Sequence, residues 1–199
     1  MISALSLALL LLTGLGCTPG INGGNTFSVK PDDARPLTRA SEREKKLPFG
    51  LYITPSNTPI DPPENFTGYH TGRDFEIFPS EKETDVPVNA ICSGAVVYSG
   101  RIPGYGGVIV ESCTIGGEAV TVLYGHLDQE SFTHGVNDPL PLGEQLAILG
   151  DDHSTETDGA RKHLHLGIHK GTALEFRGYV DKKEELDAWL DPDVVLGQQ

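Results

Sequence analysis

The sequence predicts a mainly β protein: an antiparallel, sandwich-like β-sheet domain with long loops and a minor C-terminal helix. Three observations predict it. With 24 Gly and 14 Pro in 199 residues, short strands and turns are favoured over long helices. β-branched and aromatic residues gather in short runs, several of them alternating apolar and polar. Turn sequences such as PGYGG and IGGE join neighbouring runs directly, which makes hairpins rather than crossovers.

In chain order, residues 1–17 (MISALSLALLLLTGLGC) form an apolar run. It is shorter than the roughly 20 residues of a membrane helix and matches the hydrophobic part of a secretory signal. Cys17 after Gly16 fits a bacterial lipoprotein signal, with two departures. No Lys or Arg precedes the run, and Gly14 stands at position −3 from the cysteine in place of Leu. Residues 18–47 are polar, with mixed charge and no sustained period, and read as a disordered linker. The globular domain is expected over 48–199. Strands are expected at 49–54, 73–78, 90–100, 106–113, 119–127 and 162–170, with a shorter one at 144–150. VDKKEELDAWL, with Asp181 as a cap and Leu186 and Trp189 on one side, reads as the helix.

Composition narrows the function. At 38% hydrophobic and 22% charged residues the chain is an ordinary globular one. Its net charge of −13 excludes nucleic acid, which needs a basic patch, and simple docking on anionic lipid. Any membrane contact would run through an N-terminal lipid anchor, if Cys17 is modified. Export would permit a disulfide. A hairpin turn centred between Ile102 and Pro103 sets Cys92 opposite Cys113; a one-residue slip would spoil the pairing and leave two buried thiols.

Three stretches carry candidate chemistry. In KHLHLGIHKG, strand alternation puts His163, His165 and His169 on one face and Leu164, Leu166 and Ile168 on the other. Neighbours at i, i+2 lie about 6–7 Å apart along the strand. That suits one metal ligand beside one proton carrier better than two ligands of one zinc, whose bonds to nitrogen are about 2.0–2.1 Å. In GYHTGRDFEIF, His70 sits at a turn and Asp74 at a strand entrance, and both are zinc-ligand types. In LYGHLD, His126 closes an apolar strand. His134 and His153 lie in loop-like sequence and His169 at a strand end, so all three are read as outside the chemistry.

Taken in order, His-x-Gly-x-Asp, Tyr-Gly-His-Leu and His-Leu-His resemble the lysostaphin/LytM-type zinc metallopeptidases, bacterial cell-wall endopeptidases. VPVNAICSGAVVYSG, GYGGVIVE and PLGEQLAILG add to the likeness, which spans roughly residues 48–196. The resemblance implies one zinc ion held by His70, Asp74 and His165, with His126 and His163 as catalytic histidines. It also implies peptide bonds of peptidoglycan stem peptides or cross-bridges as substrate, a hydrolytic water at the fourth zinc position, and an exported, cell-envelope location. Three protein ligands with an open fourth position are the pattern of a catalytic zinc. Which histidine is the general base stays open. The alternative is a non-catalytic domain of the same fold that binds peptidoglycan or activates an amidase; such domains typically lose ligands or catalytic histidines. The chain departs from the pattern at GDDHSTETDGARK, where relatives carry a Gly/Ser/Thr-rich segment ending in Pro. That departure puts substrate preference in doubt and leaves the metal site intact.

Overall fold

The computed structural model describes residues 35–63 and 65–197. The signal-like run, Cys17 and most of the expected linker lie outside the described residues. The strands are β1 (Tyr52–Ile53), β2 (Gly68–His70), β3 (Gly72–Glu76), β4 (Pro87–Asn89), β5 (Gly94–Ile102), β6 (Gly106–Ile115), β7 (Glu118–Leu127), β8 (Pro139–Leu140), β9 (Gln145–Ile148), β10 (His163–Lys170), β11 (Tyr179–Val180) and β12 (Trp189–Leu190). One short helix follows, α1 (Pro192–Val195).

The main sheet has seven strands in the order β12-β10-β7-β6-β5-β8, with β3 also paired to β10. A three-stranded sheet, β1-β2-β11, and a two-stranded one, β4-β9, accompany it, and every pairing is antiparallel. The mainly β expectation holds. So does the sandwich character: Val88 of β4 and Leu146 and Ala147 of β9 share a buried cluster with Phe75, Tyr124, Leu164, Leu166 and Ile168 of the main sheet. Burying each such large side chain stabilises the fold by about 1.5–3 kcal/mol. The opposite face of the main sheet carries a smaller cluster, Tyr105, Val108, Val110 and Leu123, and the histidines.

Four expectations change. Residues 35–47, read as part of the linker, pack on the domain. Leu37, Ala40 and Leu47 are buried. Arg43 reaches Glu81 with both terminal nitrogens (2.6 and 2.8 Å) and the carbonyl of Glu76 (3.0 Å). The apolar residues of this stretch are too sparse to show a period, so only tertiary contact reveals them. The strand expected over 49–54 shortens to β1, Tyr52–Ile53. The expected helix over 181–190 is a 3₁₀ segment, Lys183–Ala188, that ends as Trp189 enters β12 opposite His169. Finally, the hairpin register differs: Cys113 faces Gly94, and a bulge between Val96 and Tyr98 shifts the ladder before it reaches the Ile102–Gly106 turn. The Cys92–Cys113 disulfide forms all the same, from a loop position just before β5, with Cα atoms 6.3 Å apart.

Candidate active site

Antiparallel pairing builds the site. On the β3–β10 ladder, Asp74 stands opposite His165 and Glu76 opposite His163, so these four side chains share one face. The residues that alternate with them, Phe75, Leu164 and Leu166, point into the core. Asp74 therefore sits at mid-strand rather than at a strand entrance. His70 arrives from the end of β2, where its partner is Tyr179 of β11. Thr71 fixes the step from β2 to β3: its N–H donates to the carbonyl of Gly178 and its hydroxyl to that of Arg177. Gly72 must lack a side chain, because a Cβ there would lie 2.8 Å from the His165 ring and 2.5 Å from the carbonyl of Leu166.

His126 reaches the site by a different device. Between β6 and β7 the register shifts at Gly107/Val108, which pair with Leu127 and Gly125 and leave His126 as the extra residue. Its φ is 63°, the left-handed region, and its carbonyl accepts from the N–H of Gly150 (2.9 Å). Strict alternation from Gly125 would turn His126 to the core side; the bulge re-aims it over His163. The two rings lie 4.2 Å apart between centroids.

The donor atoms converge. His70 Nε2 is 3.0 Å from His165 Nδ1 and 3.3 Å from Asp74 Oδ1, and His165 Nδ1 is 3.1 Å from Asp74 Oδ1. All three residues are buried. Tetrahedral bonds of 2.0–2.1 Å put ligand atoms about 3.3 Å apart, so this triangle fits a zinc ion. His70 Nδ1 lies 3.2 Å from the carbonyl of Pro48, to which it can only donate; a neutral His70 then presents a bare lone pair at Nε2. Lone pairs and a carboxylate meeting at 3 Å repel unless a cation or a shared proton lies between them. His165 Nε2, on the far side of its ring, has the Tyr105 hydroxyl at 3.4 Å.

Electrostatics follow the same layout. Burial opposes ionisation of Asp74, but His163, His70 and Arg161 outweigh it and hold its carboxyl well below the usual carboxylate range. Burial lowers His165 to about 4, against the pull of Asp74. Burial, reinforced by His163, keeps His126 well below the ordinary imidazole value, hence neutral at pH 7. His126 Nδ1 lies 3.3 Å from the carbonyl of Thr157 and His163 Nδ1 2.8 Å from that of Arg161. A carbonyl only accepts, so each Nδ1 keeps its proton, and the neutral His126 ring offers Nε2 as a base.

The five expected residues thus come together as one cluster, and Asp74, His126, His163 and His165 line a groove of about 910 Å³. His134 and His169 do not line it, and His169 packs edge-on to Trp189. His153 lines it from an exposed loop. Four lining residues escaped the sequence reading: Tyr105, Arg161, and the stacked pair Phe66 and Tyr179, 5.4 Å apart. For Arg161 a signal existed, since alternation carried back from His165 through His163 reaches it.

A family profile described as Peptidase family M23 matches residues 68–177, more than half of the chain. The chain belongs to peptidase family M23. The match spans His70, Asp74, His126, His163 and His165, and the LytM-type resemblance is borne out. Among solved structures, that of LytU aligns at 23% identity over 78% of this chain and 86% of that chain, with a TM-score of 0.52. The SpoIIQ–SpoIIIAH pore-forming complex aligns at 16% identity over 81% and 89%, also with a TM-score of 0.52. A zinc-containing peptidase from Vibrio cholerae aligns at 19% over 64% and 33%, with a TM-score of 0.45. At these identities the first two likenesses show a shared fold. No curated protein matches the chain significantly.

Proposed function

We propose that this M23 chain is a zinc-dependent endopeptidase that hydrolyses peptide bonds in peptidoglycan stem peptides or cross-bridges. One observation carries the reading: the His70–Asp74–His165 triangle has the edges of a zinc site and lies beside two adjacent imidazoles, His126 and His163, tilted against each other with centroids 4.2 Å apart. A zinc ion held there would polarise the scissile carbonyl and bring the pKa of a water to about 7. His126 and His163 supply the proton handling. Either Nε2 can take the proton of the attacking water and return it to the leaving amine. His163 Nε2 lies 3.2 Å from Asp74 Oδ2. Once protonated, it gains a hydrogen bond to that oxygen, which favours the imidazolium at the moment negative charge grows on the carbonyl oxygen. The groove binds and orients the peptide, with Phe66 and Tyr179 as an apolar wall.

The substrate rests on family membership. Family membership also supports an extracytoplasmic location; residues 1–17 as a signal, a tether before the domain and lipidation at Cys17 are proposed from the sequence alone. Among the described residues no helix is long and apolar enough to cross a membrane. The second reading, a non-catalytic domain of this fold, draws on the likeness to a pore-forming complex. The full set of five side chains disfavours it. The experiment is a digest of purified wall by the purified protein, analysed by mass spectrometry, with the zinc content measured on the same sample. Stoichiometric zinc and a single cleaved bond type are expected; an intact wall with no zinc in the protein refutes the reading.

A further inference from the structure

We infer that Arg161 is a positioning residue that holds Asp74 to one metal-facing oxygen; the inference rests on the zinc reading of the site. The two oxygens of Asp74 have separate surroundings. Oδ1 faces His70 Nε2 (3.3 Å) and His165 Nδ1 (3.1 Å). Oδ2 accepts from Arg161 Nη2 at 2.7 Å and has His163 Nε2 at 3.2 Å. A carboxylate is free to bind a cation through one oxygen or both. Here the guanidinium claims Oδ2 and leaves Oδ1 as the donor.

Arg161 is itself built in. Its Nη2 and Nε also reach Glu76, at 2.6 and 3.1 Å, so one planar fork spans two neighbouring carboxylates on β3. Its side chain is only 10% exposed. Burial works against its charge, but Asp74 and Glu76 outweigh that and hold the guanidinium above its ordinary value. Without it, Glu76 would lose the guanidinium it accepts from, and Asp74 Oδ2 would lose its Arg161 partner. Its main chain acts as well: the Arg161 carbonyl takes the Nδ1 proton of His163 at 2.8 Å. One residue therefore orients a proposed metal ligand through its side chain and a proposed proton carrier through its backbone.

The loop that delivers it, 151–161, is the segment that departs from the family pattern. It is tied down at several points. Thr157 is fully buried, and its hydroxyl lies 2.8 Å from the carbonyl of Ala160 and 3.1 Å from that of Asp151. Gly107 N–H donates to the carbonyl of Glu156 and Gly104 N–H to Asp158. The departure thus reaches the metal-facing carboxylate itself, whereas the sequence placed its effect on substrate preference alone.

The test uses the full purified chain and cobalt(II), a spectroscopic substitute for zinc, with Arg161→Met and Arg161→Lys. In wild type, one oxygen from Asp74 keeps the coordination number low and the visible absorption of bound cobalt strong. Arg161→Met frees Oδ2, so the cobalt band should weaken as the second oxygen joins, and kcat should fall about 10–100-fold with KM nearly unchanged. Arg161→Lys keeps the charge but not the two-ended fork, and should lie between. A purely structural role would lower the melting temperature and leave the spectrum of bound cobalt as it was. If Arg161→Met does not fold, the Arg161→Lys spectrum decides. The inference is overturned if the folded variants keep the wild-type spectrum and kcat. If wild type itself takes up neither zinc nor cobalt, the zinc reading falls and takes this inference with it.

Discussion

Two buried carboxylates on the same sheet, Asp74 and Glu111, share a degree of burial and differ in whether they ionise. Asp74 is 2% exposed and Glu111 0%. Each is grouped with two further side chains of ligand type, Asp74 with His70 and His165, Glu111 with Cys92 and Cys113. Around Asp74 stand imidazoles and a guanidinium, and the carboxyl is held ionised. Around Glu111 stand the Tyr124 hydroxyl (2.7 Å from Oε1) and the Cys92 sulfur (2.7 Å), and Oε2 has no hydrogen-bond partner. The sulfur is in a disulfide, so it has neither a proton to give nor a charge. Burial then pushes Glu111 up to about 8, even against the hydrogen bond from Tyr124. Burial sets how much a charge costs; the neighbours decide whether the group ionises and becomes a ligand.

The sharpest way to break this contrast is to remove the ligands at the ionised site. Asp74→Asn and His165→Ala should each abolish zinc retention after dialysis. Wall-releasing activity should drop on the order of 10³-fold or more. If either variant keeps stoichiometric zinc, the side chain it lacks is no more a ligand than Glu111 is.

Next come the imidazoles that sit beside the triangle without belonging to it. His126→Ala and His163→Ala should keep zinc and lose about 10²–10⁴-fold in kcat. The double variant should cost little more than the worse single, because the two rings act as a unit. Full activity in both singles would remove them from proton transfer.

At the Glu111 end, opening the disulfide should be felt in stability and not in metal. The bridge closes a separation of 21 residues, which corresponds to about 3 kcal/mol. Reduction of the folded protein, followed by denaturant unfolding, should show a loss of that order with zinc content unchanged. Loss of zinc on reduction would mean that the two ends of the sheet are coupled.

The Asp74 end was far more legible in the sequence than the Glu111 end, for a physical reason. A strand's two-residue period puts His163 and His165 on one face and Leu164 and Leu166 on the other, so the alternation itself displays the site. His126 could be named through the Tyr-Gly-His-Leu resemblance, but its aim could not be derived. It depends on a one-residue bulge and a positive φ, which break the period. Glu111 offered no sign at all. In VIVES it occupies one step of an alternating strand, and its burial comes from the far packing of Tyr124 and the disulfide. Arg161 lies between these cases, one step before the histidines but outside the strand. The disulfide was expected for a register the hairpin does not adopt, since the bulge at Val96/Tyr98 and the loop position of Cys92 offset one another.

The smallest expected effect isolates Glu111. Its folded value of about 8 lies above the 4.5 of an ordinary glutamate, so the folded state binds the proton more tightly than the unfolded state does. The stability linked to that proton is complete below about pH 4.5 and is lost as pH rises towards 8, by at most about 1.4 kcal/mol per pH unit. Glu111→Gln keeps the shape and an acceptor for Tyr124 but cannot ionise. Near pH 5 the variant and wild type should unfold at closely similar denaturant midpoints; by pH 8 the variant should be the more stable. The buried histidines titrate in both proteins and cancel in the difference, so this comparison reports on Glu111 alone. A difference that stays flat from pH 5 to pH 8 would mean that the Glu111 carboxyl is not held protonated by burial, and the contrast with Asp74 would reduce to the ligands at hand.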